Sequence, residues 1–519
     1  MKLKAILILP LFLHVVACTD ATGNKSKDLV KISVTASANP LLIGVQTNPV
    51  LQVAIYVPSN ISRMNYKSIH CTLNEGSLAD IQKIEVYFPD STPGFSTNNF
   101  STSMAPSSDS FDLPVDLNLA SGVHYLWLSI TLKKEADIDH SVELHVTQLV
   151  GSLGQELSVT EGNSSFRKRI GVALRRAGED GVDTYRIPGL IITDKNTLIA
   201  VYDIRYNNSA DLPANIDVGM NRSTDGGKTW SPMKVIMDMG LPNETNGIGD
   251  PAILFDPVTK MLWVAALWSK GNRSIAGSGP GLSPDETGQF MLASSADDGV
   301  TWSAPYNITA QVKDPVWNIF FQGPGSGIAT QDGKIVFPAQ YWDANHIPYS
   351  TVIYSEDHGK TWKRGTGAKS NTTESTVIET TPGTLMLNMR DNRGNFRSVS
   401  VSRDFGSSWV EHPTSYSALP DPVCMGSLIK ASVNIKGVQQ NVLFFCNANK
   451  SSAPRANITI KASLDLGESW APANQLLIDE RNCYGYSCIT KIDDNTLGLL
   501  YEGTKELYFV KVPVSEIFK

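Results

Sequence analysis

Along most of this chain, apolar and polar residues alternate over short runs, the two-residue period of a half-buried strand, and an extended helical period is nearly absent. Leu51, Val53, Ile55 and Val57 alternate with Gln52, Ala54 and Tyr56. Ile84 to Phe88, His124 to Leu132 and Val142 to Val146 have the same strand character. Ser, Thr, Asn and Pro dominate Ser91 to Ser110, which reads as a long loop. Residues 28–160 are therefore predicted to form an all-β module, a β-sandwich, ending at a boundary near Gly162-Asn163-Ser164-Ser165.

One segment breaks the pattern. Lys2 and Lys4 precede an apolar stretch from Ala5 to Val16, too short to span a bilayer but suited to the apolar region of a signal peptide. It ends in Val15-Val16-Ala17-Cys18, which resembles the lipobox where bacterial lipoproteins are cut and lipidated. Residues 1–17 are the expected signal peptide and Cys18 the expected lipidation site; an ordinary signal peptide with an incidental cysteine is the alternative. The first reading implies an exported protein tethered by acyl chains, in the periplasm or at the cell surface, touching membrane only through that anchor.

Beyond the boundary the chain repeats itself. The pattern Ser-x-Asp-x-Gly-x-Thr/Ser-Trp begins at Ser223, Ser295, Ser355, Ser402 and Ser463 and ends at Trp230, Trp302, Trp362, Trp409 and Trp470. The tryptophans stand roughly 50–70 residues apart, the length of a four-stranded propeller blade with variable loops. Asp can accept hydrogen bonds from nearby backbone N–H groups, Gly permits positive φ, and Trp packs a large face between blades. Each repeat is thus expected at a hairpin turn, in a structural role. Residues 166–519 are predicted to form a six-bladed β-propeller, a fold that does not by itself fix an activity.

Composition narrows the partners. The chain has 519 residues, too many for one core, with 41% hydrophobic and 18% charged residues, as in an ordinary folded protein. Its net charge of −7 and the lack of a Lys/Arg stripe argue against nucleic acid. Past Cys18, the cysteines Cys71, Cys424, Cys446, Cys483 and Cys488 are odd in number and irregularly spaced, so they suggest neither a disulfide framework nor a zinc site. Cys483 and Cys488 either pair or remain thiols. The scattered histidines indicate no metal site.

Between the repeats lie more specific motifs: Tyr185-Arg186-Ile187-Pro188, Glu374-Ser375 followed by Leu387-Asn388-Met389-Arg390, Pro454-Arg455-Ala456-Asn457, Gly485-Tyr486-Ser487 and Leu500-Tyr501-Glu502. With the five repeats, which match the Asp-box, they resemble the bacterial exo-sialidases, including lipoprotein-type enzymes of gut Bacteroides. The resemblance covers the whole second module and implies that Arg186, Arg390 and Arg455 clamp the carboxylate of a sialic acid, with Arg393 and Arg397 as rivals at the second position. Planar, permanently charged guanidinium groups suit that task. Taken singly, each arginine would more simply be assigned to a surface salt bridge.

The same resemblance makes Tyr486 the nucleophile, Glu374 its base, Asp211 the acid/base and Glu502 the group that steadies Arg186. Arg205, Asp250 and Trp268 would contact the sugar, and Ile248 would join Trp268 around the N-acyl group. Tyr484 competes with Tyr486, since a strand would put both on one face; Asp203 and Asp217 compete with Asp211, and Asp203 with Arg205 could instead form rim contacts. A neutral phenol avoids the repulsion that an anionic nucleophile meets at a carbon bearing a carboxylate, and sialidases are the known tyrosine exception among glycosidases. Its ordinary pKa near 10 calls for a base and cationic surroundings. The implied reaction is hydrolysis of terminal sialic acids with retention, by a monomer without cofactor. Transfer of sialic acid, intramolecular transfer, or a non-sialidase propeller are the alternatives. For the first module the resemblance leaves open carbohydrate binding or simple buttressing; Trp127 and Tyr125 are a candidate platform, but Trp127 is expected to be interior.

Overall fold

Alternation is literal in the strand Ser110–Ala120, where Phe111, Leu113, Val115, Leu117 and Leu119 are buried and every residue between them is exposed. The computed structural model describes residues 29–162, 165–240 and 245–519; the expected signal peptide and Cys18 lie outside the described residues. In the first module two sheets enclose a common core. One runs, in spatial order, through Glu161–Gly162, Lys31–Ala36, Asn48–Val57, Gly122–Leu132, Ile81–Asp90 and Phe100–Met104. The other contains Ser141–Gly151, Arg63–Leu73 and Ser110–Ala120, and Val53, Ile55, Ile69, Leu113 and Leu128 from the two sheets share one cluster.

Two expectations are corrected here. The stretch read as a loop from Ser91 to Ser110 holds the strand Phe100–Met104, paired through Ile84 and Met104. It is an edge strand with mostly exposed residues, so no apolar row was needed to form it. Trp127 is not interior. Leu126 and Leu128 point into the core, while Trp127 lies half-buried on the outward face, donating from Nε1 to the Pro93 carbonyl at 3.0 Å.

The two modules share a strand. In Ser165–Arg175 the first half pairs with Ser141–His145 and the second half with Leu507–Val510 near the C-terminus. Leu41–Ile43 adds in parallel alongside Ile170–Val172, and Lys228 bridges Asp137 and Asp139 at 2.9 Å each. The apolar core runs on without a gap, with Leu174, Tyr185, Leu190 and Phe509 in the same cluster as the first module.

From Thr184 onward the chain forms mainly antiparallel sheets in succession, beginning with Thr184–Ile192, Leu198–Arg205, Ile216–Ser223 and Lys234–Met237. The last, Ser487–Asp493, Thr496–Glu502 and Leu507–Pro513, takes the shared strand Ser165–Arg175 as its fourth member. In each repeat the Asp caps its own turn. Asp357 accepts from Thr361 N at 2.9 Å, Thr361 Oγ1 at 2.6 Å and Ser355 Oγ at 2.8 Å, and the Ser355 hydroxyl accepts from Gly359 N at 2.7 Å. Hydrogen bonds from the residue four positions on hold Asp297 and Asp404 down at about 2. The tryptophans reach adjacent sheets: Trp362 meets Trp263 edge-on at 6.3 Å, and Trp230 meets Phe509 at 5.1 Å. Gly227, at φ 91°, leaves room for that contact, since a Cβ there would lie 2.2 Å from the Phe509 ring. All five cysteines beyond Cys18 are free thiols, Cys483 and Cys488 included.

Replacing the turn aspartate by Asp357→Ala removes these bonds, each worth on the order of 1 kcal/mol. The variant is expected to unfold a few degrees earlier in calorimetry with its activity per folded molecule unchanged; a large loss of activity would contradict a structural role.

Candidate active site

Four strand ends bring the motif residues together. Arg186 lies early in Thr184–Ile192, Arg205 ends Leu198–Arg205, Glu374 lies early in Thr372–Thr381, and Arg390 lies near the end of Thr384–Asp391. In meandering antiparallel sheets the start of the first strand and the end of the second fall at the same end, so residues far apart in sequence meet there.

Glu502 holds one side. Its carboxylate is fully buried and accepts three donors: Arg186 Nε at 3.1 Å and Ile187 N at 2.9 Å on one oxygen, Tyr486 N at 2.9 Å on the other. Ile187 has φ 55°, an uncommon conformation for a branched residue, and its outward-turned N–H is what Glu502 captures.

Tyr486 sits against this support. Its hydroxyl donates a very short hydrogen bond to Glu374 Oε1 and accepts from Arg390 Nη1 at 3.0 Å, while Arg390 Nη1 also donates to Glu374 Oε2 at 2.7 Å. The Arg186 and Arg455 guanidinium carbons lie 5.3 and 5.8 Å from the Tyr486 ring centre. Arg455 is fixed by two carbonyls, Tyr484 O at 2.9 Å and Val423 O at 2.8 Å. It lies in the loop before the strand Ile458–Ser463, the strand that leads into the last repeat.

The expectation that Tyr484 and Tyr486 share a strand face is not met. The strand begins at Ser487, and Gly485 between the tyrosines has φ 95°, which separates their directions. Tyr484 presents its ring to Arg186 at 4.9 Å; of the two hydroxyls, that of Tyr486 is the one bonded to Glu374. The two arginine rivals have partners of their own. Arg397 is buried and bound to Asn388 Oδ1 at 2.7 Å and the Cys424 carbonyl, and Arg393 turns to Asp391 at 3.0 Å.

Across the site, Asp211 accepts from Arg205 Nη1 at 2.7 Å and lies 3.5 Å from Arg186 Nη1; its side chain is 68% exposed. Asp203 is buried, not at the rim, and accepts from Arg205 Nε and Nη2 and from Asp250 N. Arg205 is itself buried. Asp217 binds the Tyr206 hydroxyl at 2.9 Å on the strand Ile216–Ser223, and burial raises it to about 6. Trp268 is half-buried with Nε1 on Asn246 Oδ1 at 2.7 Å, whereas Ile248 is fully buried in an inter-sheet core and lines nothing open. Sequence reasoning missed Gln322, buried and donating to the Asp250 carbonyl at 2.6 Å; no motif or spacing marks it.

The protons are placed by these surroundings. Burial raises Tyr486 well above its ordinary value and the Glu374 charge adds to this, so at neutral pH the phenol keeps its proton. Burial pushes Glu374 up too, but Arg390 and the Tyr486 hydrogen bond outweigh it and hold the carboxyl below its usual range. The pair is thus a phenol donating to a carboxylate. Asp211 is likewise lowered: the protein around it partly desolvates the carboxyl, but Arg205, Arg186 and Arg390 outweigh this. Asp250 is pushed far up by burial and then by Asp203 and Asp211. A tyrosine hydrogen-bonded to a carboxylate lies in a nest of guanidinium groups opposite an exposed carboxyl, an arrangement suited to the chemistry of a glycoside hydrolase on an anionic sugar.

Comparison with known proteins agrees with that class. Residues 208–500 match the family described as BNR repeat-like domain, and residues 29–153 match the N-terminal domain of BNR-repeat neuraminidase. A sialidase from Bacteroides fragilis (strain YCH46) is 45% identical over 414 residues, covering 78% of this chain and 76% of the relative. A sialidase from Micromonospora viridifaciens is 33% identical over 335 residues, covering 63% of this chain and 50% of the relative. Among solved structures, Hadza microbial sialidase Hz136 superposes with a TM-score of 0.86 at 37% identity, covering 93% of this chain and 100% of that one. The chain belongs to the bacterial exo-alpha-sialidase family and is a hydrolase.

Glu502→Gln would put an amide donor among three donors that now converge on a carboxylate. Breaking a buried charge pair in this way costs about 3–5 kcal/mol, so the unfolding midpoint in denaturant is expected to fall clearly. An unchanged midpoint would show that Glu502 does not support the site.

Proposed function

We propose that this enzyme removes terminal sialic acids from glycoproteins, glycolipids and oligosaccharides with retention, through a tyrosyl-enzyme intermediate. The single observation that carries the reading is the Tyr486 hydroxyl, bonded to Glu374 and Arg390 with Arg186 and Arg455 alongside. The successive sheets, with the shared strand Ser165–Arg175 completing the last, support a six-bladed β-propeller behind an N-terminal sandwich.

The substrate carboxylate is held by Arg186, Arg390 and Arg455. As Tyr486 attacks the anomeric carbon, its proton passes to Glu374, and Asp211 delivers a proton to the departing glycosidic oxygen. The resulting aryl ketoside between the Tyr486 oxygen and the anomeric carbon is opened by water, which gives a proton to Asp211 while Glu374 returns its proton to the phenolic oxygen. Asp211 must be protonated to act first as an acid, yet Arg205 and Arg186 hold it low in the empty site. The bound anionic substrate offsets those guanidinium charges and raises it. Arg205, Asp250 and Trp268 would border the sugar. Monomeric action on sialylated glycans and attachment through a lipidated Cys18 complete the reading.

Purified enzyme is expected to release sialic acid from 3′- and 6′-sialyllactose, with the α-anomer formed first in NMR. Tyr486→Phe should lower kcat by at least about 100-fold; near wild-type turnover would return the role to Tyr484. A second expectation concerns pH: the basic limb of kcat should lie above that of kcat/KM, because kcat reports the substrate-bound Asp211. Coincident limbs would sink the proposed offset.

A further inference from the structure

The two ends of the cleft are built alike. Tyr501-Glu502 closes the second strand of the last sheet, and Tyr202-Asp203 stands near the end of the second strand of the first sheet. Each acid is buried and each accepts three donors from the site. Glu502 captures Ile187 N in the next inner strand; Asp203 captures Asp250 N in the inner strand after its own, at 2.8 Å. Both captured residues have positive φ, 55° and 58°, both precede a proline (Pro188 and Pro251), and both sit at a shift in strand register. Asp203 thus occupies, one sheet further on, the structural position of Glu502.

We propose that Asp203 is a positioning residue for the acid side of the reaction, setting Arg205 against Asp211 and fixing the backbone that carries Asp250. One Asp203 oxygen accepts from Arg205 Nε at 3.1 Å and Nη2 at 2.8 Å, which leaves Nη1 aimed at Asp211 Oδ1 at 2.7 Å and the Ser209 carbonyl at 2.8 Å. The other oxygen holds Asp250 N. Gly249 allows this approach: a Cβ there would lie 2.9 Å from Asp203 Oδ1. The inference rests on the reading of Asp211 as the acid.

The charges around the pair make the consequence directional. Asp203 faces Arg205 on its own strand, Arg186 from the neighbouring strand and Asp250 from the next sheet. Asp211 faces Arg205, Arg186, Arg390 and Asp250. Asp203 offsets part of the Arg205 charge. Without it, Arg205 stabilises the Asp211 carboxylate more strongly, and the protonated acid is lost at lower pH.

The test is kinetic, on the full chain. Asp203→Asn removes the charge and leaves one acceptor where three donors converge. Gly249→Ala displaces the same carboxylate without changing any charge. 3′-Sialyllactose needs its leaving oxygen protonated, whereas a 4-methylumbelliferyl sialoside departs as a stabilised phenolate and needs little help. Both variants are expected to lose about 100-fold in kcat/KM on sialyllactose and less than about tenfold on the aryl sialoside, the contribution of one general acid. The basic limb on sialyllactose should also move to lower pH in Asp203→Asn. Equal losses on both substrates with unmoved limbs, or wild-type kinetics, would overturn the proposal. Should Asp203→Asn not fold, the substrate ratio of Gly249→Ala decides alone. Wild-type enzyme that released no sialic acid from either substrate would overturn the function itself, a separate result.

Discussion

The site depends on one buried carboxylate. Glu502 collects Arg186 Nε, Ile187 N and Tyr486 N, so the first strand after the shared segment, the loop before the last sheet and that sheet itself are tied at a single point. Each donor would be costly to bury alone, and so would the carboxylate; together they satisfy one another. The interaction does two things at once. It fixes the backbone where the sheets meet, and it sets the Arg186 guanidinium against the Tyr486 ring, 5.3 Å from its centre.

Around that point, charge is balanced to keep protons where the chemistry needs them. Glu374, Asp203, Asp211 and Glu502 offset Arg186, Arg205 and Arg390, so these guanidinium groups can lie close together. The balance is local. Glu374, bonded to Arg390, stays ionised and can accept a proton, while Tyr486, deeper in the protein, keeps one. Asp211 is left partly open, where an incoming carboxylate can alter its surroundings.

Much of this was legible before folding. The five Ser-x-Asp-x-Gly-x-Thr/Ser-Trp turns were readable because their bonds are local, running from Asp to the residue four positions on. The motif residues Arg186, Glu374, Arg390, Arg455, Tyr486 and Glu502 were recognisable as a set because their local motifs together resemble those of one family. Ile248 misled because an apolar residue beside Asp250 looks alike whether it faces a cleft or a core. The edge strand Phe100–Met104 escaped notice because its bonds come from Ile81–Asp90, and its own residues needed no apolar pattern.

By itself, then, the order of residues determined the local things: which segments extend, where they turn, and which side chains can carry charge or a nucleophilic oxygen. Those follow from backbone preferences and contacts a few residues apart. Only the tertiary structure put the Tyr486 hydroxyl on Glu374 and the Tyr484 ring against Arg186, gave Arg393 and Arg397 other partners, and turned Asp203 from a rim candidate into a buried support. Such choices rest on partners that are close in space and remote in sequence, as when Tyr486 meets Glu374 across 112 positions of chain, and distance along a chain carries no record of direction in space.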